Sequence, residues 1–411
     1  MTTSRHTPSL CISLTLTLLL AACTTPADPA IISVSVTVAD GELLVGQSAQ
    51  ATAQVSRVGG ADASVDWSST DDGVVTVDVD GTVTAVAPGV AEVVAISVFD
   101  PSKSDSVTVE VLVTWESLPS LPVPVSRPAA AFLDGLVYLI GGESDGGDKL
   151  GQVQAYDPVA ESWDTSLPAT PVGLSNACAV ALDGAIYLFG GWTGQDEVDT
   201  LYRLEPGAGP WEELALDVLP SPRLGAACVV HAGKVYLIGG SDDEDQPLEP
   251  WTFDPALAEG SRWTTGLANT AVTGGILGGA VSVGDYIYYG GATGINSTFL
   301  DADWVVRYDP ALDEWASLPD LQVPRGGAGL WAVGDLLYVA GGGWQTFLNS
   351  VEVYDLSEGL TGTWSVDSYL AQGRRSFGLA VDPVSQTAYA AGGWAGELLG
   401  NVESRNLAPN P

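Results

Sequence analysis

The chain has 411 residues, and its 51 acidic side chains against 14 lysines and arginines give a formal net charge of −37 at pH 7. This charge argues against binding to nucleic acid and against electrostatic docking on anionic lipid, because both of those partners are polyanions. Two histidines are too few for a histidine-rich zinc or copper site, so we expect no metal and no cofactor.

Residues 1–22 are typical of an export signal. A basic start is followed by an apolar run from Leu10 to Leu20, which is too short for a membrane span and ends in small residues. The sequence Leu20-Ala21-Ala22-Cys23 resembles a bacterial lipobox, which implies acylation of Cys23 and a lipoprotein held in the cell envelope. An ordinary secretory signal is the alternative. Thr24 after the cysteine favours the outer membrane by the same resemblance, and residues 23–30 are expected to be a tether.

Residues 31–113 alternate apolar and polar positions between regularly spaced turns, which predicts a small β-sandwich. The run from Val65 to Ser69 and the Asp80-Gly81 turn with its flanking valines resemble a bacterial immunoglobulin-like domain of group 2, a module whose usual role is that of a spacer. Asp78 and Asp80 have the spacing of calcium ligands, but a hairpin turn before the glycine explains them better.

From residue 114 onward a repeat of about 50 residues runs through the chain. Its mark is an apolar strand that ends in paired glycines, at Gly141-Gly142, Gly190-Gly191, Gly239-Gly240, Gly290-Gly291, Gly341-Gly342 and Gly392-Gly393. A period of this length is typical of a small sheet repeated around a ring, and glycine permits backbone passage where no Cβ fits.

Each repeat reads as four short strands. In the first, the strands Ala129 to Leu133 and Leu136 to Ile140 flank a tight turn, Val153 to Tyr156 form the third, and Trp163 begins the fourth. Aromatic residues recur at three positions: Tyr138, Tyr187, Tyr236, Tyr288, Tyr338 and Tyr389; then Tyr156, Tyr202, Phe253, Tyr308 and Tyr354; then Trp163, Trp211, Trp263, Trp315 and Trp364.

These glycine pairs, Tyr-Asp-Pro turns and spaced tryptophans resemble the Kelch family of β-propellers. The resemblance predicts an all-β chain in which residues 114–411 form a six-bladed Kelch-type β-propeller after the N-terminal immunoglobulin-like β-sandwich. The sixth repeat has no fourth strand of its own, whereas residues 113–118 have the fourth-strand pattern without preceding strands. We therefore expect 113–118 to complete blade six and close the ring, because an open ring would leave two bare sheet edges.

Three residues inside the folded part invite a chemical interpretation. Cys178 and Cys228 fall in the first strands of blades two and three, where a disulfide is geometrically possible and two buried free thiols are favoured. His231 is interpreted as a turn residue. A single histidine leaves no Ser-His-Asp machinery, and a copper oxidase of the galactose oxidase kind is disfavoured.

The candidate ligand-binding residues come from strand order. In a propeller, the loop after the second strand and the loop before the first strand emerge on one face, which we call the loop face. Arginines precede the first strands at Arg127, Arg223, Arg325, Arg374 and Arg375, and tryptophans follow the glycine pairs at Trp192, Trp344 and Trp394. Planar guanidinium groups suit carboxylates, and indole faces suit sugar rings, so the set predicts an acidic glycan site. The alternative is that the arginines brace the loops through backbone carbonyls.

Acidic residues enrich the same loops, at Glu143, Asp145 and Asp148 and at Asp242, Asp243, Glu244 and Asp245. Calcium is one interpretation, and a solvated loop is favoured because no glycine-spaced ligand pattern accompanies the cluster. Glu143 and Arg127 could form a proton-transfer pair, as the resemblance to six-bladed Kelch sugar mutarotases implies.

These observations predict a monomeric, surface-tethered binding protein whose loop face contacts a glycan or a protein. A carbohydrate-active enzyme resembling the sialic-acid mutarotases, or an epimerase, is the alternative. A structural scaffold of the envelope is a third hypothesis. A non-catalytic protein is favoured, since fold resemblance is a weak argument for activity.

Overall fold

The computed structural model describes residues 27–242, 249–269, 275–294 and 300–407. The chain divides into two compact units, Met1–Val111 and Leu112–Pro411. The export signal at 1–22, Cys23 and the acidic residues Asp243 to Asp245 lie outside the described residues. No helix in the described ranges has the length and apolar character needed to cross a membrane.

The first unit is a sandwich of two antiparallel sheets, as predicted. One sheet has the strand order Ala30–Val38, Ser48–Val58, Thr82–Ala85 and Val75–Val77. The other is built from Val65–Ser69, Gly89–Ser97 and Ser104–Thr114, with Glu42–Leu44 on the last of these. Inward-facing valines and alanines fill the space between the sheets, with Val75, Val83, Val93 and Val109 fully buried.

The turn interpretation of Asp78 and Asp80 is confirmed. The Asp78 Oδ1 atom accepts hydrogen bonds from the backbone N–H groups of Asp80 and Thr82, both at 2.9 Å. Gly81 takes the left-handed conformation that the turn requires, with φ +81°. Across the described part of the chain, no cluster of histidine, cysteine or acidic residues could hold a metal ion.

The second unit contains six four-stranded antiparallel blades; blades one to five are built from strands in sequence order, and blade six takes its outer strand from upstream of blade one. The first strands of successive blades contact one another, and that of blade six contacts that of blade one, so the ring is closed. Blade one contains Ala129–Leu133, Leu136–Ile140, Val153–Asp157 and Ser162–Asp164; blade two contains Cys178–Leu182, Ala185–Phe189, Leu201–Leu204 and Glu212–Glu213; blade three contains Ala227–His231, Lys234–Ile238, Trp251–Phe253 and Trp263–Thr264.

The remaining blades follow the same plan. Blade four contains Gly279–Val283, Tyr286–Gly290, Val305–Asp309 and Glu314–Ser317; blade five contains Gly329–Val333, Leu336–Ala340, Ser350–Asp355 and Ser365–Tyr369; blade six contains Gly378–Asp382, Thr387–Ala391, Val402–Asn406 and Glu116–Leu118. A short pair, Gly275–Ile276 with Thr293–Gly294, and a 3₁₀ turn at Leu356–Glu358 lie outside the blades.

Strand register confirms the alignment of Tyr288 and corrects that of Tyr202. In blade four, Gly291 with φ +65° matches Gly141, so Gly290 is a strand residue and Tyr288 does lie opposite Val281 as Tyr138 lies opposite Ala131. In blade two, the residue opposite Ile186 is Leu204, so Tyr202 is two positions too early to match Tyr156.

Blade six is completed by the upstream strand. Glu116–Leu118 pairs antiparallel with Val402–Asn406, with Leu118 opposite Val402. The preceding Trp115 is 2% exposed and packs edge-to-face on Trp331 of blade five, with ring centroids 5.6 Å apart. The ring thus has no open edge at blade six.

The fourth-strand tryptophans link neighbouring blades. Each indole N–H donates a hydrogen bond to a backbone carbonyl of the preceding blade, at distances of 2.7 to 3.0 Å. The donor and acceptor pairs are Trp163 with Pro119, Trp211 with Pro168, Trp263 with Asp217, Trp315 with Ala268, and Trp364 with Pro319. These tryptophans are therefore structural, and they bury apolar area while satisfying their one polar atom.

The favoured prediction of two free thiols is wrong. Cys178 and Cys228 form a disulfide between the first strands of blades two and three, with their Cα atoms 5.7 Å apart. This separation lies in the ordinary range for a disulfide. The first strands crowd around the axis with small side chains, and that crowding brings the two cysteines together.

Candidate functional site

The loop face carries all five predicted arginines, but they occupy three different positions relative to the first strand of their blade. Arg223, Arg325 and Arg374 lie four residues before it, Arg375 lies three before it, and Arg127 lies two before it. Because the chain turns sharply here, a shift of one residue changes what the side chain faces. The three positions consequently have three different environments.

The arginines at the first position are enclosed within their blades. Arg223, Arg325 and Arg374 are at most 1% exposed. Each guanidinium donates to the carbonyl of a paired glycine: Arg223 to Gly239 at 3.3 Å, Arg325 to Gly341 at 3.1 Å, and Arg374 to Gly392 at 2.9 Å. These side chains brace the glycine turns, so the hypothesis that they bind a ligand does not fit their burial.

Buried carboxylates neutralise two of these arginines. Arg325 Nη2 lies 2.5 Å from Glu352 Oε1, and Arg374 forms the equivalent pair with Glu403. Among the residues that the structure describes, no carboxylate lies at hydrogen-bond distance from Arg223. Its guanidinium carbon lies 3.5 Å from the ring centroid of Trp251, and burial lowers the pKa of this arginine to about 9.

Just before the first strands, a chain of backbone hydrogen bonds runs around the axis. The residue two places before each first strand has φ between +53° and +69°, at Arg127, Asn176, Gly225, Leu277, Gly327 and Ser376. Five bonds link these residues in succession, including Arg127 N–H to the Ser376 carbonyl at 2.7 Å and Ser376 N–H to the Gly327 carbonyl at 2.8 Å. Left-handed backbone is costly for residues other than glycine, so the ring holds these side chains in fixed places.

A cavity of about 530 Å³ opens on the loop face. It is lined by residues from five blades: Arg127, Glu143, Lys149, Asn176, Trp192, Glu197, Leu224, Ile276, Leu277 and Trp344. A narrower cavity of about 120 Å³ at the axis shares Arg127, Asn176 and Leu277 with it. A volume of this order suits a small molecule or a few sugar rings.

An ion network occupies the blade-one side of the cavity. Arg127 Nη1 lies 2.8 Å and Lys149 Nζ 3.4 Å from the same oxygen, Glu143 Oε2. Lys149 also donates to the Gly147 carbonyl at 2.6 Å. Two cations share one carboxylate, so the network carries a net positive charge in a strongly acidic protein.

Two of the three predicted tryptophans line the cavity. Trp192 and Trp344 contribute from blades two and five, whereas Trp394 of blade six is not among the lining residues. The backbone of Trp394 instead exchanges both of its hydrogen bonds with Arg375, and its N–H bond is 2.9 Å long. Trp394 therefore supports the rim rather than the cavity wall.

Arg375 lies on the indole of Trp344, with its guanidinium carbon 3.6 Å from the ring centroid. Burial, and then the nearby charge of Arg127, lower the pKa of Arg375 to about 10, which leaves it charged at neutral pH. Trp344 is itself held by hydrogen bonds from its Nε1 to Thr293 Oγ1 at 2.6 Å and from its backbone N–H to Asp301 Oδ2 at 3.1 Å.

Sequence reasoning missed most of the cavity wall. Lys149, Asn176, Glu197, Leu224, Ile276 and Leu277 line the cavity but belong to no recognised motif. A periodic signal for two of them does exist in the sequence, because Asn176 and Leu277 stand two places before a first strand, as Arg127 does.

The other predicted residues have plainer roles. Glu143 is engaged by Arg127, while Asp145 and Asp148 lie exposed in their loop, as a solvated loop predicts. His231 ends the first strand of blade three beside the turn, and its Nδ1 lies 2.9 Å from Ser282 Oγ. It is not among the residues that line the cavity.

Comparison with known proteins agrees with this architecture of an N-terminal β-sandwich followed by a six-bladed β-propeller. The profile of the KLHDC2/KLHL20/DRC7 Kelch-repeats domain matches residues 108–271, and the Kelch motif matches residues 324–368. The bacterial Ig-like domain of group 2 matches residues 30–111. The chain therefore contains a bacterial Ig-like domain of group 2 followed by Kelch repeats.

Individual relatives match over short stretches. Human Kelch-like protein 4 is 47% identical over 55 residues, which are 13% of this chain and 8% of that protein. Lacto-N-biosidase of Bifidobacterium bifidum is 51% identical over 74 residues, or 18% of this chain and 7% of that protein. The chain thus spans less than a tenth of the length of either relative.

The solved structure of YjhT shares the fold. It superposes with a TM-score of 0.58 at 20% sequence identity, covering 69% of this chain and 96% of YjhT. At this level of identity the likeness concerns the fold, and function has to be argued from the residues of the cavity.

Proposed function

We propose that this chain is a non-catalytic binding protein whose loop-face cavity holds a glycan or a protein ligand. The observation that carries the proposal is the cavity itself, in which two tryptophans and the Arg127–Glu143–Lys149 network converge from separate blades. Aromatic faces supply contact area at low entropic cost, and the charged groups supply specificity. A role in ligand binding also agrees with the Kelch repeats.

A glycan is the ligand class that the wall favours. Trp192 and Trp344 offer planar surfaces on which sugar rings stack, and Asn176, Glu143 and Glu197 offer hydrogen-bond partners for hydroxyl groups. Leu224, Ile276 and Leu277 add an apolar floor for the less polar faces of the sugar rings.

A glycan array with the full chain tests the proposal. We expect Trp344→Ala and Trp192→Ala each to lower binding about tenfold or more, since buried aromatic anchors dominate such interfaces. Lys234→Ala is the matched control, because Lys234 stands at the turn between the first two strands of blade three, on the opposite face. If an envelope extract supplies a protein ligand instead, the same variants should lose it. Equal binding by wild type, both tryptophan variants and the control would contradict the proposal.

We further propose that Cys23 carries the lipid anchor, that the Ig-like unit acts as a spacer, and that the protein is held on a bacterial outer membrane, facing the periplasm or the cell surface. The lipobox-like sequence before Cys23 supports this proposal. Mass spectrometry of the mature amino terminus tests it: an acylated Cys23 agrees, and an unmodified terminus elsewhere contradicts it.

A carbohydrate-active enzyme of the mutarotase or epimerase kind is the second candidate. The observation in its favour is the 2.8 Å contact between Arg127 and Glu143 in the wall of the cavity, a carboxylate beside a cation that could move a proton at a sugar oxygen. Following the anomerisation of acidic sugars by NMR decides between the candidates. Catalysis abolished by Glu143→Gln would favour the enzyme.

A further inference from the structure

Arg375 is a loop-face arginine with two unused donors, whereas Arg223 has one. The Nε and Nη1 atoms of Arg375 are buried, and neither has a hydrogen-bond partner among the residues that the structure describes. By contrast, Arg127, Arg325 and Arg374 each contact a carboxylate. A charged donor removed from water without a partner destabilises the unliganded protein, and an arriving acceptor would remove that penalty.

The orientation of Arg375 is fixed before any ligand arrives. The guanidinium of Arg375 stacks on the indole of Trp344. Its carbon atom also lies 5.9 Å from the ring centroid of Phe347. Trp344 cannot swing away easily, because its indole N–H is bonded to Thr293 and its backbone N–H to Asp301. A planar donor held in one orientation loses little entropy when a planar acceptor binds.

Arg127 and the hydroxyl of Ser376 accompany Arg375 on the loop face. Arg127 and Arg375 come from adjacent blades, one and six, and the backbone N–H of Arg127 donates at 2.7 Å to the carbonyl of Ser376, the residue after Arg375. The charge of Arg127 disfavours the charged form of Arg375, while the carboxylate of Asp301 favours it.

Ser376 is nine-tenths buried, and its Oγ has no partner among the described residues. Ser376 and Arg127 both line the narrow axial cavity, which shares Arg127, Asn176 and Leu277 with the larger one. The Arg375 donors and the Ser376 hydroxyl stay unused although the carboxylates of Glu143 and Asp301 are near the two arginines, so a further acceptor would satisfy them.

We propose that Arg375, Arg127 and Ser376 form an anion subsite that receives the carboxylate of an acidic sugar, while the rest of the glycan occupies the larger cavity. The inference rests on the proposed function and specifies its ligand class. A carboxylate oxygen is a strong acceptor for the charge-assisted hydrogen bonds that arginine donates. The same region offers unused acceptors, Asp301 Oδ1 and Asn176 Oδ1, which suit the hydroxyl groups of a sugar acid.

The net charge of the chain makes such a subsite selective. With a formal charge of −37, the protein repels anions at long range, so non-specific binding of polyanions is disfavoured. An acidic glycan would then be retained only where local donors outweigh that repulsion. Raising the salt concentration should screen the repulsion and leave the buried contacts less affected.

The test compares trigalacturonate with its carboxyl-reduced form, in which each carboxylate is a primary alcohol, by calorimetry on the full chain. A hyaluronan tetrasaccharide and its reduced form serve as a second pair. We expect the carboxylate forms to bind roughly ten- to a hundredfold more tightly, and Arg375→Met to remove that preference. Arg375→Lys keeps the charge without the planar fork and should recover only part of it.

Two controls and one direct readout accompany the calorimetry. Arg375→Met leaves no buried group without its hydrogen-bond partner, so we expect the variant to fold, and a thermal melt verifies this. Lys234→Met, on the opposite face, should not change the preference for the carboxylate form. In protein labelled with ¹⁵N-arginine, the Nε signal that Arg375→Lys removes should shift when trigalacturonate is added.

The possible failures are distinguishable. If both forms of a probe bind with equal affinity and Arg375→Met has no effect, the anion subsite is overturned while glycan binding stands. If neither form of either probe binds and the Nε signal does not move, the subsite and the proposed glycan ligand both fail.

Discussion

A single arginine can have opposite roles on this propeller according to a shift of one residue along the chain. Arg374 is fully enclosed and donates to Gly392 and Asn401, whereas its neighbour Arg375 stacks on an indole with donors to spare. The first braces the glycine turn, and the second keeps unused donors, which is why we propose it for the anion subsite. Residue type alone does not distinguish them.

At the residue scale we predict that Arg325→Gln destabilises the protein by about 3–5 kcal/mol, because it leaves Glu352 charged, buried and without its cation. Glu352 is fully buried, and Arg325 also holds the carbonyls of Gly341 and Ser350. Urea unfolding followed by tryptophan fluorescence measures the change.

The matched control for that measurement is Lys234→Gln. Lys234 forms an ion pair with Asp254 at 3.3 Å, but its side chain is 46% exposed, so its loss should change the free energy of unfolding by less than about 1 kcal/mol. If Arg325→Gln and Lys234→Gln lowered the free energy of unfolding by similar amounts, the prediction that the buried Arg325–Glu352 pair matters more would be wrong.

The sequence predicted that arginines and tryptophans gather on the loop face, and this follows from strand order. It did not predict that Arg223, Arg325 and Arg374 face inward, because that depends on where each left-handed residue falls before the first strand. Lys149 was missed because its position is set by the loop after the glycine pair, where the blades have no common length or sequence.

Among the strands, the links between neighbouring blades decide stability. In each of blades one to five, the fourth-strand indole donates a hydrogen bond to the preceding blade. Between blades five and six, Trp115 packs edge-to-face on Trp331 instead. The repeat period predicted the indole positions correctly. The alignment of Tyr202 with Tyr156 was wrong. The loops between the glycine pairs and the third strands differ in length, so the spacing from a glycine pair does not fix the register of the third strand.

At the scale of strands we predict that replacing both cysteines, Cys178→Ser with Cys228→Ser, lowers the free energy of unfolding by about 2–4 kcal/mol. The disulfide closes a segment with a sequence separation of 50 between two blades, which restricts the unfolded chain. Thermal melting with and without reductant measures the effect, and the double variant should not respond to the reductant.

A free-thiol assay shows whether the disulfide is present in the purified protein. Purified, unreduced protein should yield no thiol from Cys178 or Cys228 after unfolding. Two reactive thiols would mean that the strands approach without bonding. The sequence favoured that state because repeat spacing does not report how closely first strands crowd at the axis.

At the scale of the whole molecule, aromatic packing governs the response to alkali. Burial raises the pKa of Tyr338 to about 12, and burial with a hydrogen bond to Asp313 raises the pKa of Tyr308 further. Buried Tyr289 shifts in the same direction because of desolvation. The neutral form of these tyrosines is favoured in the folded state.

We therefore predict that the free energy of unfolding falls as the pH rises from about 10 to about 12. In that window the unfolded chain releases tyrosine protons that the folded chain retains, so stability declines with pH and is fully present below about 10. Urea melts across this range measure it, and Tyr338→Phe should reduce the slope. Tyrosinate absorbance that rises in a single step near the ordinary pKa, with no loss of stability, would contradict the prediction.

The closing strand has a consequence for how the ring assembles during synthesis. Trp115 contacts Ser368, 253 residues further along, and Glu116–Leu118 finds its partner only in Val402–Asn406. The ribosome therefore delivers the first part of the sixth sheet long before the rest. Contacts this distant form slowly, so the nascent propeller passes through a stage with a bare strand edge that is prone to mispairing. A chaperone or rapid export that shields the edge until translation reaches residue 406 would raise the yield of the closed form.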